Sequence, residues 1–192
     1  HQLVNIFDIL PERRQNIMFS ATMTADVDAL ISDFFINPEK VSVALSGAPL
    51  ENITQERYNV PNFYTKVNLL RHLLLDTETY TKVLVFIGTK RLADRLFSEL
   101  EMEFGNELSI IHSNKTQNYR LRSIEAFEEG ECRVLLATDV MARGLDIEDI
   151  SHVINFDTPD YPENYIHRIG RTGRAKKKGH TLVFSTEKEQ DY

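Results

Sequence analysis

Short apolar runs alternate along this chain with stretches in which apolar residues recur at helical spacing, and that alternation is the pattern of a parallel sheet covered by helices. Strands are expected at 16–19, 41–44, 54–60, 82–87, 108–112, 133–137, 152–156 and 180–184, with helices between them. Val27, Leu30, Ile31, Phe34 and Phe35 fall on one helical face, with Thr24 placed to cap its start and Pro38 to end it. Leu92, Leu96 and Leu100 form a second stripe, and Leu121, Ile124 and Phe127 a third. Such stripes are core. Asp160 and Glu163, with Pro162 between them, read as a helix start of the capping-box type.

The pattern breaks between Leu45 and Asn52, where turn-forming residues interrupt it. Residues 53–192 are long enough for a complete domain, and 46–52 read as a linker. Residues 1–45 offer two strands and two helices, too few to bury both faces of a parallel sheet. They are expected to be the tail of a preceding domain. The first residue is His1, not methionine, so the chain is expected to be an excised piece.

With 192 residues, 42% of them hydrophobic, the chain can bury a sizeable core. Its apolar runs are too short for a membrane span, so no membrane partner is expected. Cys132 stands alone, which excludes an internal disulfide and suits a reducing cytoplasm. A net charge of −7 argues against a generally basic nucleic-acid coat. Yet from His167 to His180 there are six Lys and Arg residues and no acid. A local positive patch on an acidic body suits a protein that grips phosphates at one face.

Within that patch Arg168, Arg171 and Arg174 stand three residues apart, interleaved with Gly170 and Gly173. In a helix that spacing turns each side chain by about 60° from the last, so the guanidinium groups would fan over one side and repel. A polyphosphate would make use of them: planar forks bind phosphate oxygens bidentately, and glycine lets an anion approach the backbone.

In an open α/β sheet ligands sit beyond the carboxyl ends of the strands, and the residues leaving each expected strand are polar. They are Ser20-Ala21-Thr22, Gly88-Thr89-Lys90-Arg91, the run from Ser113 to Arg120, and the run from Thr138 to Asp146. Taken singly, Ser20, Thr89 and Thr116 could be helix caps and Asp146 a turn former. Four such exits beside the arginine run shift the balance toward a ligand site.

In order and spacing, Ser20-Ala21-Thr22, Val85 through Arg91, Gln117 with Arg120, Ala137 through Ile147 and His167 through Arg174 resemble the successive motifs of DEAD-box ATP-dependent RNA helicases. The resemblance implies a RecA-like parallel sheet sandwiched by helices, the helicase C-terminal lobe, preceded by part of a first lobe. It also implies the site. Arg171 and Arg174 would be the arginine fingers that reach the γ-phosphate, and Gly144 and Asp146 would contact the nucleotide. Thr89, Gln117, Arg120 and Thr138 would hold RNA phosphates and sugars, indifferent to base sequence and sensitive to salt. His167 would couple the nucleotide site to Ser20 and Thr22 of the first lobe. The cofactor would be ATP with Mg2+, the metal held by the first lobe; the partners would be RNA and that lobe.

No Gly-x-x-x-x-Gly-Lys-Ser/Thr loop and no Asp-Glu-Ala-Asp run occurs in the chain. It is therefore expected neither to hydrolyse ATP nor to unwind RNA by itself. Two positions depart from the family pattern: Ser113-Asn114 stands where glycine and aspartate are common, and Lys176 replaces a common glycine. Alternative readings are a lobe of a related two-lobe DNA translocase and a non-catalytic RNA-binding module.

Overall fold

A computed structural model describes residues 2–20, 23–42, 52–142, 147–173 and 178–189. The chain divides into two compact units, His1–Ser46 and Gly47–Tyr192.

The first unit holds two helices, α1 (Gln2–Ile9) and α2 (Ala25–Phe34). Thr24 caps α2 as expected, its side chain accepting from the Val27 amide at 3.4 Å. The expected apolar stripe of α2 is its inward face, with Ile31 buried and Phe34 stacked on Phe7 at 4.3 Å. The strand expected at 16–19 is absent: the segment is irregular, and Ile17 and Phe19 are exposed. A strand needs a partner ladder, and no other described segment of this unit is extended alongside it. Of the strand expected at 41–44, residues 41–42 are not in a strand and 43–44 lie outside the described residues.

The second unit is built on six parallel strands: β1 (Ile53–Asn59), β2 (Val83–Phe86), β3 (Leu108–Ile111), β4 (Val134–Ala137), β5 (His152–Asn155) and β6 (Gly179–Ser185). They lie in the order β1-β6-β5-β2-β4-β3, and every pairing is parallel. Each strand lies within two residues of its expected position. Among the described residues five α-helices connect them: α3 (Phe63–Leu74), α4 (Lys90–Phe104), α5 (Gln117–Glu129), the short α6 (Asp139–Ala142) and α7 (Pro162–Ile169).

The continuous apolar run of β2 follows from burial on both faces. Val83 and Val85 pack with Val67, Leu70 and Leu74 of α3 and with Leu96 and Leu100 of α4. Leu84 and Phe86, pointing the other way, pack with Phe127 of α5 and Ala142 of α6. A strand covered on both sides loses the alternation that a solvated face would impose. The third expected stripe is only partly core. Ser123 and Phe127 are buried and Ile124 half-buried, but Leu121 is exposed because six residues place it about 120° around the helix from Phe127, off the inward face.

At the amino ends of β5 and β6 three rings stack in a row. His152 lies 4.3 Å from Tyr80 and 5.1 Å from His180. Burial, and then the neighbouring His180, lower the His152 pKa to about 4. Unfolded, His152 binds a proton near its ordinary value; folded, it does so only near 4. Stability is therefore expected to fall as pH drops from about 6.5 to about 4, by on the order of 2–3 kcal/mol. Thermal unfolding followed by circular dichroism across this window checks it, and His152→Phe is expected to flatten the profile there.

Candidate nucleotide and RNA interface

Because the strands are all parallel, their carboxyl ends form one edge of the sheet, and nearly every described candidate residue of the second unit stands on it. The central feature of that edge is a buried arginine. Arg168 is 2% exposed, and it bonds Asp139 with two nitrogens: Nε to Oδ1 at 2.6 Å and Nη2 to Oδ2 at 2.7 Å. Its Nη1 donates to Asn155 Oδ1 at 3.2 Å and to the Asp157 carbonyl at 2.9 Å, and the guanidinium lies over the Phe86 ring at 5.2 Å. A planar fork matched to a carboxylate in this way is charge-assisted and directional. It ties α7 to the start of α6 and to the exits of β2 and β5.

The arginine run is thus not one helical face. Helix α7 begins at Pro162 with Tyr161 as its cap, without the side-chain bond of a capping box, so Asp160 and Glu163 do not cap it. Proline as the first helical residue has already displaced the start by one position. The helix ends at Ile169, leaving Arg168 in its last turn and Arg171 in the turn beyond. The basic residues therefore sit at the carboxyl end of a helix, where its dipole favours them, and not at a start aimed outward. The repulsion expected between neighbours is relieved because Arg168 turns inward onto Asp139.

The glycines also have a structural cause. Gly173 has φ +71°, and a Cβ there would stand 2.8 Å from Ile53 Cγ1. A Cβ on Gly170 would stand 3.3 Å from the Ile166 carbonyl. The left-handed turn accounts for Gly173 without an approaching anion, while Gly170, at φ −64°, is set by the closeness of the Ile166 carbonyl.

Arg171 is half-buried, and its Nε donates to the His167 carbonyl at 3.3 Å. Together with Phe86, Asp139, Ala142, Asn164 and Arg168, both residues line a small cavity. Among the described residues of that lining Asp139 is a carboxylate, and it is held by Arg168. Arg174, Gly144, Asp146 and Thr22 lie outside the described residues. Ser20 is exposed and belongs to the first unit.

Thr89 follows β2 and caps α4, its Oγ1 accepting from the Leu92 amide at 3.2 Å. The capping alternative raised by the sequence is therefore real, although a capping hydroxyl keeps its own hydrogen to donate. Gln117 opens α5 after the cap Thr116, and its Oε1 accepts from Arg120 Nη2. Arg120 lies against the Met141 sulfur, and its Nε is buried without a hydrogen-bond partner. Thr138 leaves β4, and its carbonyl accepts from the Met141 and Ala142 amides at 3.0 Å each, which starts α6. Gln117, Arg120 and Thr138 are thereby gathered around Met141.

The loop carrying the Ser113-Asn114 departure is held by side-chain hydrogen bonds from both sides. The Asn114 amide donates to His112 Nδ1 at 3.3 Å, so His112 Nε2 carries the hydrogen and donates to Asp94 Oδ1 at 2.9 Å. Burial alone would raise the Asp94 carboxyl, but the bonds from His112 and Lys115 outweigh it and hold it below its ordinary value. Asn114 Oδ1 accepts from Lys90 Nζ at 3.0 Å, joining this loop to the start of α4.

Of the residues that organise this edge, Asn155 and Asp157 were not among the expected site residues, Asp139 was only part of the polar exit after β4, and Arg168, expected to face a polyphosphate with Arg171 and Arg174, is turned onto Asp139 instead. Asn155 carried a signal, a polar residue inside the apolar run of β5. Asp139 stood directly after a strand, and Arg168 was the first arginine of the run. Among the described residues no group of three or more His, Cys, Asp or Glu side chains is placed to hold a metal ion, and no helix is long and apolar enough to cross a membrane.

A parallel sheet covered on both faces, with a basic turn and several hydroxyl and amide side chains on its carboxyl edge, is the class of nucleotide-dependent motor lobes. Residues 65–176 match the helicase conserved C-terminal domain, and the chain belongs to that family. It is 43% identical over 174 residues to "ATP-dependent RNA helicase RhlB" of Shewanella sediminis, covering 91% of this chain and 39% of the relative. It is 40% identical over 192 residues to "DEAD-box ATP-dependent RNA helicase CshA" of Bacillus licheniformis, covering 97% of this chain and 38% of the relative. The chain thus spans under half the length of these relatives. Among solved structures, Saccharomyces cerevisiae Dbp5 bound to RNA and ADP BeF3 matches over 95% of this chain and 48% of that one, with TM-score 0.79 and 32% identity. Escherichia coli SrmB bound to RraA matches over 72% of this chain and 80% of that one, with TM-score 0.66 and 37% identity. The fold is the RecA-like helicase C-terminal lobe.

Breaking the Arg168–Asp139 pair strands a carboxylate at the edge. Arg168→Met is expected to cost about 3 kcal/mol, read as a lower urea midpoint at unchanged slope. Arg168→Lys is expected to recover little of this, because a point charge cannot make the two parallel bonds.

Proposed function

We propose that this chain is the second lobe of an ATP-dependent RNA helicase, and that in the whole protein it takes part in RNA-stimulated ATP hydrolysis and duplex unwinding. The observation that carries the reading is the Arg168–Asp139 lock, which presents His167 and Arg171 on the same sheet edge as Thr89, Gln117, Arg120 and Thr138. Support also comes from the relatives' names and from the RNA and ADP BeF3 bound by Dbp5. On this reading residues 1–45 are the end of the first RecA-like lobe, 46–52 the linker, and 53–192 the second lobe.

The residues fit a polyphosphate. The cavity beside Arg171, about 10 Å3, holds no more than a water. On this reading Arg171 is a reaching side chain, as suits a nucleotide gripped mainly by the opposing lobe. ATP, with Mg2+ held by that lobe, supplies the phosphoryl group whose transfer to water drives the cycle. Arg171 and Arg174 stabilise the charge developing on that group. The half-buried setting of Arg171 strengthens this, because a guanidinium shielded from water meets less dielectric screening. On this reading the nucleotide-binding role falls to Gly144 and Asp146 beside the two arginines, and the interlobe coupling role to His167, Ser20 and Thr22. Thr89, Gln117, Arg120 and Thr138 hold RNA through phosphates and sugars, and the buried, unpartnered Nε of Arg120 is a donor available to rearrange toward such a ligand. The compartment this reading implies is the cytoplasm.

In the protein carrying both lobes, Arg171→Ala is expected to lower the RNA-stimulated ATPase kcat by roughly 10²–10⁴-fold while RNA affinity changes less than about threefold. Equal loss of both, or loss of neither, rejects the arginine-finger role. The 192-residue chain alone is expected to show no RNA-stimulated ATPase above buffer in a phosphate-release assay.

A further inference from the structure

Behind the Gly88–Thr89 turn sits an ionic trio, centred on a buried lysine, that the mechanism above does not use. Lys66, in the first turn of α3, is 3% exposed. Its Nζ donates to both carboxylate oxygens of Glu189, at 2.9 and 2.8 Å, and lies 3.4 Å from Asp157 Oδ1. Glu189 belongs to the 3-10 turn Glu187–Glu189 that follows β6, and its Oε2 also accepts from the Thr186 amide and hydroxyl at 2.7 Å each. Asp157 follows β5, and its Oδ2 accepts from the Gly88 amide at 2.9 Å. The preceding amide, Ile87, donates to the Ala137 carbonyl at 3.0 Å, so the exit of β2 is pinned at two successive residues.

Two acids share this one lysine, which itself lies 5.6 Å from the Phe156 ring. Burial pushes the Asp157 carboxyl up, against the opposing pull of the Gly88 amide and Lys66. Glu189 goes the other way: burial would raise it, but the bonds from Lys66 and Thr186 outweigh that. A buried ion cluster gives little net stability over apolar packing of the same volume. What it does give is direction, since each bond has one geometry. The direction here is toward the backbone of a turn whose next residue, Thr89, is a candidate RNA contact.

We infer that Asp157 is a positioning residue for RNA binding at Gly88–Thr89, and that Lys66, clamped by Glu189, sets its orientation, so that the turn after β6 bears on RNA affinity. The inference rests on the reading above that this turn meets RNA. The chain of contacts runs from the Glu187–Glu189 turn to Lys66, to Asp157, to the Gly88 amide, and so to the hydroxyl of Thr89. The first three links are hydrogen bonds between groups on different elements and the last is the peptide bond from Gly88 to Thr89, so loosening the far end loosens the near one.

Amide hydrogen exchange and titration with a short oligouridylate, both followed by NMR on the 192-residue chain, test it. Asp157→Ala is expected to speed exchange at Gly88 by about tenfold relative to Val85 and Ile154 in the sheet. Asp157→Asn, whose amide oxygen still accepts from Gly88, is expected to keep wild-type protection. Glu189→Gln, a mild change at a partly exposed site, is expected to speed Gly88 exchange a few-fold, and oligouridylate affinity should fall in the same order as protection. Unchanged Gly88 exchange in both Asp157→Ala and Glu189→Gln overturns the inference. So does exchange that rises equally at Gly88, Val85 and Ile154, since that is lost packing alone. Selective loosening of Gly88 with unaltered oligouridylate affinity upholds the clamp and removes the turn from the RNA surface, a failure of the reading on which the RNA role rests.

Discussion

The carboxyl edge of this lobe depends on one ion pair made in a place where charge is expensive. Arg168 gives up water almost completely, and its cost is met only because all its reach is used: two bonds to Asp139, one to Asn155, one to the Asp157 carbonyl, and a ring face beneath. Those partners come from the exits of β2, β4 and β5. A single side chain therefore sets the spacing of three loops. Arg171, three residues on, inherits its position from that lock, because Ile169 and the turn at Gly170 hold it at a fixed distance.

The sheet makes such a lock possible. Parallel strands buried on both faces put all their carboxyl ends on one side, and the helices that follow each strand start there, with capping residues and free amides crowded together. Thr89, Thr116 and Asn62 each cap a helix at this edge. The same geometry that satisfies helix starts makes the edge rich in donors. A polyanion is the ligand that such an edge suits best, and hydroxyl caps with a spare hydrogen belong to both roles at once.

Much of this was legible from residue order. The run Val83-Leu84-Val85-Phe86 has no polar alternation, so it had to be buried on both faces, and the spacing of Leu96 and Leu100 had to meet it. The family motifs marked loops after β2, β3 and β4 that the structure brings to one sheet edge. Legibility failed where a residue's partner lies far along the chain. Lys66 looks like any helix-surface lysine until Asp157 and Glu189 converge on it. Leu121 fits its stripe as well as Phe127 does, and only the folded chain shows that the inward face of α5 is the one carrying Ser123 and Phe127. The segment 16–19 has strand-like composition but no ladder beside it.

The amino-acid order by itself determined the alternation of strands and helices, the two-sided burial of the sheet and the family, because hydrophobic periodicity and motif spacing are local properties written in consecutive residues. Only the tertiary structure decided which arginine turns inward and which remains at the edge. Arg168 and Arg171 are equivalent as letters. They differ because the helix ends between them, leaving one facing Asp139 across the core and the other in a turn, and that choice is made by the balance of desolvation against hydrogen bonds from elements that meet only in the folded chain.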